Sequence, residues 1–265
     1  MSAFGAHGIE VADVVSVLDL PDEPQGAAWA ERGIAAVVGA GGDGTLGTVA
    51  THLAGIELPL GILPLGTAND TARSLGIPLE LEAAVAAFAT GQILRMDVGE
   101  VVAPDGRSAR FLHAATLGLN AEFARLATDV ERRARLGPLN YPASALAALA
   151  NTRSRSCTVR LDDGTVIEGP ALQIAALNLP HMLGGTIDID LPDIHPQDGL
   201  LTVLVVRNLL AIDRYATRRL WVDTTVGDGE APDEVTLDGE LLFTTPVEIR
   251  IADAAIPVVV PAAVG

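Results

Sequence analysis

Basic charge is scarce in this sequence: 17 Lys and Arg stand against 34 Asp and Glu, a formal charge of −17 at pH 7. Nucleic-acid binding runs on clustered cations that displace counterions from phosphate, so nucleic acid is excluded as a partner. Cysteine is scarcer still. The single Cys157 has no internal partner for a disulfide, which agrees with a reducing compartment. Long apolar runs are also missing, although hydrophobic residues make up 49% of the chain. A stretch such as Tyr141 to Ala150 stops at Asn151 and Arg153, well short of the roughly 20 apolar residues that a spanning helix needs. Met1 to Glu10 has no basic segment leading into an apolar core and does not read as a secretory signal. The expectation is a cytoplasmic protein whose contact with membranes, if any, is peripheral. A local exception to the acidic balance is Arg125, Arg132, Arg133, Arg135, Arg153, Arg155 and Arg160. These arginines either face a membrane or a phosphate, or form a solvated helix face paired with Glu122, Asp129 and Glu131.

A chain of 265 residues is long enough for two domains. In the first third, short apolar runs alternate with helical stretches: Ile9 to Leu18 as strand, Gln25 to Arg32 as helix, Ile34 to Val38 as strand, and Leu46 to Leu53 as helix. Pro59 to Leu63 follows as strand, then helices over Asn69 to Leu75 and Leu81 to Ala89. This alternation predicts an open α/β sheet over residues 1–95. From Met96 the pattern becomes strand after strand, at Met96 to Val102, Ala109 to Leu117, Ser156 to Leu161, Leu172 to Asn178, Leu201 to Val206 and Val247 to Ile251. Asp-Gly turns at 105–106, 163–164 and 198–199 punctuate them. A mainly antiparallel β-sandwich over residues 96–252 is expected, interrupted by a helical hairpin at Ala121 to Leu136 and Tyr141 to Asn151, with residues 253–265 free to return to the first domain.

Gly39-Ala40-Gly41-Gly42-Asp43-Gly44-Thr45 stands between a strand and a helix. Residues without Cβ there let amides converge on an anion at the positive end of the helix, which makes a phosphate site. Asp43 cannot itself be meant for phosphate and is a candidate to hold a metal ion or a nucleotide hydroxyl. The run is neither a Walker A sequence, since no Gly-Lys-Ser/Thr follows, nor a Gly-x-Gly-x-x-Gly dinucleotide fingerprint. A second motif, Pro64-Leu65-Gly66-Thr67-Ala68-Asn69-Asp70, leads into Ala72-Arg73. Gly66 lets a backbone approach a ligand, Thr67 and Asn69 offer a hydroxyl and an amide to phosphate, ribose or adenine, and Asn69 or Asp70 is equally a helix N-cap.

Together the two motifs resemble the diacylglycerol kinase catalytic family, which is related to sphingosine kinases and more distantly to NAD kinases. The resemblance implies an α/β nucleotide-binding domain joined to a β-sandwich. It also implies transfer of the γ-phosphate of ATP to a lipid hydroxyl with Mg2+, ATP lying against Gly41, Gly42, Asp43, Gly44, Thr45, Gly66, Thr67 and Asn69. Asp97-Val98-Gly99 resembles the strand leaving the nucleotide domain, and His113 to Asn120 with Glu122 matches loosely. Gly184-Gly185-Thr186, Pro192 and then Asp198-Gly199-Leu200-Leu201 resemble a glycine-rich segment followed by an Asp that holds magnesium. Carried over, the ligands are Asp198 and the carbonyl of Leu200, although Asp198-Gly199 reads equally as a turn. Leu237-Asp238-Gly239-Glu240 matches the family's Asp-Gly-Glu, with Glu240 as general base and Asp238 as its partner. Asp228-Gly229-Glu230 is a second such triplet, without the apolar strand that follows the first. Two departures stand out. No Asn-Pro loop precedes Ile9, and Gly47-Thr48 replaces the family's Asn-Glu. A non-catalytic nucleotide- or lipid-binding homologue and an NAD kinase-like enzyme are the alternatives, the latter opposed by Pro64 to Asp70. A homodimer is compatible with each.

Overall fold

The protein is described here by a computed structural model covering residues 2–53, 55–119, 154–181, 193–208, 210–224, 232–252 and 255–262. The expected helical hairpin, Gly184 to Thr186, Pro192 and the Asp228 triplet lie outside the described residues. The helices are α1 (Ser2–Ala6), α2 (Gly26–Glu31), α3 (Asp43–His52), α4 (Asp70–Ser74) and α5 (Leu81–Thr90), with a 3-10 turn at Val17–Asp19. The first strands are β1 (Val37–Gly41), β2 (Leu60–Pro64), β3 (Gln92–Met96), β4 (Gly99–Val102), β5 (Ser108–Phe111) and β6 (Ala114–Gly118). Then come β7 (Arg155–Leu161), β8 (Val166–Ala171), β9 (Gln173–Leu177), β10 (Leu201–Asn208) and β11 (Ala211–Thr217). The last are β12 (Arg219–Thr224), β13 (Glu234–Leu237), β14 (Glu240–Thr244), β15 (Val247–Ile251) and β16 (Ile256–Val260).

One sheet has the order β1-β2-β16-β3. β1, β2 and β16 run parallel, and β3 is antiparallel to β16. All five residues of β2 are buried, as expected of a strand covered on both faces. Leu46, Val49 and Ala50 of α3, Leu53 at its C-cap, and Ala84 and Val85 of α5 share a core with Leu60, Ile62, Ile256 and Val258 of the sheet. Two expected strands differ. Ile9 to Leu18 forms none: Val14, Val15 and Leu18 are exposed, and the Ser16 hydroxyl accepts from Leu18 N and starts the 3-10 turn. Without a neighbouring strand to pair with, an apolar run has no ladder to join. β1 begins at Val37 rather than Ile34 because its ladder starts where β2 offers partners, with Val37 N bonded to Pro59 O at 2.9 Å and Pro59 having no amide to return.

At the end of α3, His52 is buried with its ring tilted against Trp29, centroids 6.0 Å apart. Burial lowers its pKa, and Nδ1 has no partner among the described residues. An unfolded chain takes up this proton near pH 6.5 while the folded one resists it, so this group removes stability as pH falls through that value. Urea unfolding should show His52→Gln gaining stability relative to the wild type between pH 7 and pH 5; a difference that does not change with pH would count against a neutral buried imidazole.

The sandwich consists of two antiparallel sheets ordered β11-β10-β9-β6-β13-β14 and β5-β4-β15-β12-β7-β8. Val101, Phe111, Leu117, Val159, Ile174, Val203, Leu220, Val235 and Ile249 fill the space between them. The expected single strands over 96–102 and 109–117 are each two, because the chain changes sheets within them. At Asp97-Val98 it passes from the first sheet into the sandwich, and at Leu112-His113 from one layer of the sandwich to the other. Asn178 clips both bends together: Nδ2 donates to Asp97 O and to Leu112 O, each at 2.8 Å.

Candidate active site

β1 and β2 end at the same rim of their sheet, the edge where ligands bind in open α/β folds. Leu65 N donates to Gly41 O at 2.9 Å, and the turns that follow the two strands cross at two glycines. A Cβ on Gly66 would collide with the Gly42 Cα and lie 2.8 Å from Asn69 Oδ1; one on Gly42 would stand 3.2 Å from the Gly66 Cα. Backbone meets backbone, so neither side can yield. Gly66→Ala is therefore expected to cost about 1–3 kcal/mol of stability by overpacking; a urea midpoint equal to that of the wild type would refute the crossing.

The turn after β2 closes on itself through Asn69, whose Oδ1 accepts from Gly66 N and whose Nδ2 donates to Gly66 O, both at 2.9 Å. Those bonds offset the left-handed backbone of Asn69, φ 52°, which costs a residue other than glycine roughly 1–2 kcal/mol. The Arg73 Nε donates to Ala68 O at 3.0 Å. Asp43 spans the two turns: Oδ2 accepts from Asp70 N at 3.1 Å and Oδ1 from Thr71 N at 2.8 Å. Its carboxylate thus caps α4, doing what Asn69 or Asp70 was a candidate to do. α3 itself has no side-chain cap, because its N-cap is Gly42. The amides of Asp43, Gly44 and Thr45 open its first turn and have no intrahelical acceptor. Thr67 is exposed on the turn whose Gly66 meets Gly42.

The opposite wall comes from the sandwich. β13 and β14 are joined by Asp238-Gly239, with φ 50° and 89°, and Leu237 pairs with Glu240. This is a two-residue turn with both positions left-handed, which Asp-Gly suits. It sends the two carboxylates to different places. Asp238 is buried and accepts from Leu112 N at 2.8 Å, His113 N at 3.0 Å and Ala114 N at 2.9 Å, which satisfies the amides freed where the chain changes sheets. Burial raises its pKa to about 6, and the charge of Asp43 adds to the rise, while His113 and the amides oppose it. Glu240 instead reaches α3. A Cβ on Gly44 would collide with its carboxyl, and one on Gly47 would lie 3.0 Å from Asp238 Oδ2. Glu240 is exposed as a residue, but its carboxyl accepts no hydrogen bond among the described residues, and partial desolvation where it meets α3 raises its pKa.

Ten of the expected residues stand on the two glycine turns, the first turn of α3 and the β13–β14 hairpin that meets it, whereas Asp198 and Leu200 do not. They sit in the turn before β10, where Asp198 Oδ1 accepts from Leu200 N at 2.9 Å and Gly199 N donates to Asp97 Oδ2 at 2.7 Å. No group of three His, Cys, Asp or Glu side chains converges to hold a metal among the described residues. One carboxylate and a carbonyl nevertheless fit a hard cation that completes its shell with water, as magnesium does. Sequence reasoning met Arg73, Gly47 and His113 only as parts of motifs, without a role, and did not single out Ser74 or His181. The chain contains no lysine, a fact that could have drawn attention to Arg73: any permanently charged side-chain cation at the loops must be an arginine. No helix among the described residues is long and apolar enough to cross a membrane.

Residues 15–101 match the diacylglycerol kinase catalytic domain, and residues 114–216 match the YegS C-terminal NAD kinase beta sandwich-like domain. A protein of Escherichia fergusonii named "Probable lipid kinase YegS" is 31% identical over 241 residues, spanning 85% of this chain and 78% of that one. One of the same name from Escherichia coli O1:K1 is 31% identical over 239 residues, 84% of this chain and 77% of its own. The crystal structure of a diacylglycerol kinase from Bacillus anthracis str. Sterne superposes with a TM-score of 0.66 at 24% identity, over 88% of this chain and 80% of that one. At that identity it shows the shared fold alone.

Proposed function

The chain belongs to the family of the YegS lipid kinases and carries their diacylglycerol kinase catalytic domain, and from that premise we propose that it transfers the γ-phosphate of ATP to the hydroxyl of a diacylglycerol-like lipid. The observation that carries this reading is the Glu240 carboxyl set against Gly44 at the open first turn of α3. Phosphoryl transfer asks a protein for positioning, charge stabilisation and a base beside the attacking oxygen. The Asp43, Gly44 and Thr45 amides receive phosphate oxygens at the positive end of the helix. The Gly66–Asn69 turn, locked by Asn69 and Arg73, forms a rigid floor from which Thr67 offers its hydroxyl. Glu240 takes the proton of the lipid hydroxyl, and its raised pKa makes it a better acceptor than an ordinary glutamate. Asp238 does not touch substrate; it holds the turn that aims Glu240. Magnesium arriving with the nucleotide would supply neutralisation of developing phosphate charge; a separate, structural ion would be held at the β10 turn by Asp198 and the Leu200 carbonyl.

The enzyme in this reading is cytoplasmic and meets its lipid at a membrane surface. Radiolabelled ATP with magnesium and a panel of lipid alcohols in mixed micelles tests it. Label in the organic extract with at least one alcohol is the expected result. Label passing only to NAD, or to no acceptor at all, would sink the proposal.

A further inference from the structure

α4 has five residues, too few for a helix to hold itself in place. Its order comes from ties at its ends. Asp43 holds the N-terminal end from α3. The C-terminal end is held from the other domain: the Ser74 hydroxyl accepts from His181 N at 3.2 Å and stands 3.2 Å from His181 Nδ1. His181 is exposed, but it is tied in its turn to the sandwich. Its carbonyl accepts from His113 Nε2 of the β5–β6 bend, and three residues earlier Asn178 N donates to His113 O at 2.9 Å. His113 is buried, and its own amide is one of the three on Asp238. A closed ring results, from α3 through Asp43, α4, Ser74, His181, His113 and Asp238 back to Gly47 of α3.

We infer that Ser74, His181 and His113 form an interdomain clasp that positions the Gly66–Asn69 turn opposite Glu240. They are positioning residues, since each acts through α4 or the bend and none reaches the α3 amides. The clasp's effect on transfer rests on the lipid-kinase reading; its effect on α4 does not.

Two measurements on the full-length protein separate these. Ser74→Ala removes the hydroxyl and Ser74→Thr keeps it. In nucleotide-free protein, amide hydrogen exchange over residues 70–77 should rise about tenfold in Ser74→Ala and stay near wild type in Ser74→Thr, the change expected for losing a hydrogen-bonded tie. In turnover with a lipid acceptor, Ser74→Ala should lose about tenfold in kcat while KM for ATP moves less than about threefold, because the α3 amides are untouched. Unchanged exchange in Ser74→Ala, or an equal rise in both variants, overturns the clasp. So does a loss of activity that appears only as a raised KM for ATP. A wild type that phosphorylates nothing while Ser74→Ala still exchanges faster upholds the clasp and defeats the kinase reading.

Discussion

Glu240→Gln is expected to lower phosphate transfer about 10²–10⁴-fold, the usual contribution of a positioned general base, while leaving the fold as stable as the wild type or slightly more so. The second half follows from the surroundings of the carboxyl. It accepts no hydrogen bond among the described residues, and partial desolvation against α3 already disfavours its charge, so a neutral side chain of the same shape loses no partner. Its pKa lies above the ordinary value, so the acid limb of kcat/KM should sit above that of a free glutamate, with activity rising as pH increases through it. Turnover against pH and a thermal melt of the two proteins check both statements. Transfer retained within threefold in Glu240→Gln would remove the residue from the chemistry. Asp43→Ala makes a useful contrast. It should also lose transfer, but with a loss of stability, because Asp70 N and Thr71 N lose their acceptor.

The contrast between these two carboxylates marks how far the sequence could be read. Local rules carried the alternation of apolar runs with helices, the Asp-Gly hairpins at 105–106 and 163–164, and the glycine turns after β1 and β2, because each depends on residues a few positions apart. What the side chains do was settled at long range. Asp43 looks like a ligand for metal or ribose when read beside its glycines, yet its partners are amides 27 and 28 residues away. The same holds for Gly47, which looks like a loss of a polar residue and proves to be where Asp238 packs, 3.0 Å from where a Cβ would stand. β12 could have been read, since Leu220 and Val222 alternate inward between Arg219 and Trp221. β11 could not be read so easily: Asp213 and Arg214 break its apolar character, as suits a strand at a sheet edge. The sheet changes at Asp97 and Leu112 were invisible, because nothing local distinguishes a bend within a strand from its continuation.

Asp238→Ala is expected to destabilise the fold by about 3 kcal/mol at neutral pH, and two opposing effects set that size. The amides of Leu112, His113 and Ala114 lose their acceptor in a buried place, each at about 1–3 kcal/mol. Against this, the ionised carboxylate is itself costly there: raising its pKa from 3.8 to about 6 corresponds to about 3 kcal/mol that removal of the charge returns. Asp238→Asn separates the two, since it keeps one acceptor oxygen for the bend and has no charge to desolvate, so it should be milder than Ala. The sign of the pH dependence follows from the same numbers. The folded protein takes up the proton near pH 6 and the unfolded chain near 3.8, so this group adds stability as pH falls from about 7 to 4, and that stability is lost as pH rises through 6. Urea unfolding of the wild type should therefore strengthen on mild acidification relative to Asp238→Asn. A wild type that does not gain on the Asn variant would mean that the three amides keep the carboxylate ionised. In either case the turn it anchors is what holds Glu240 against Gly44, so both Asp238 variants should lose transfer in proportion to the order they remove from that hairpin.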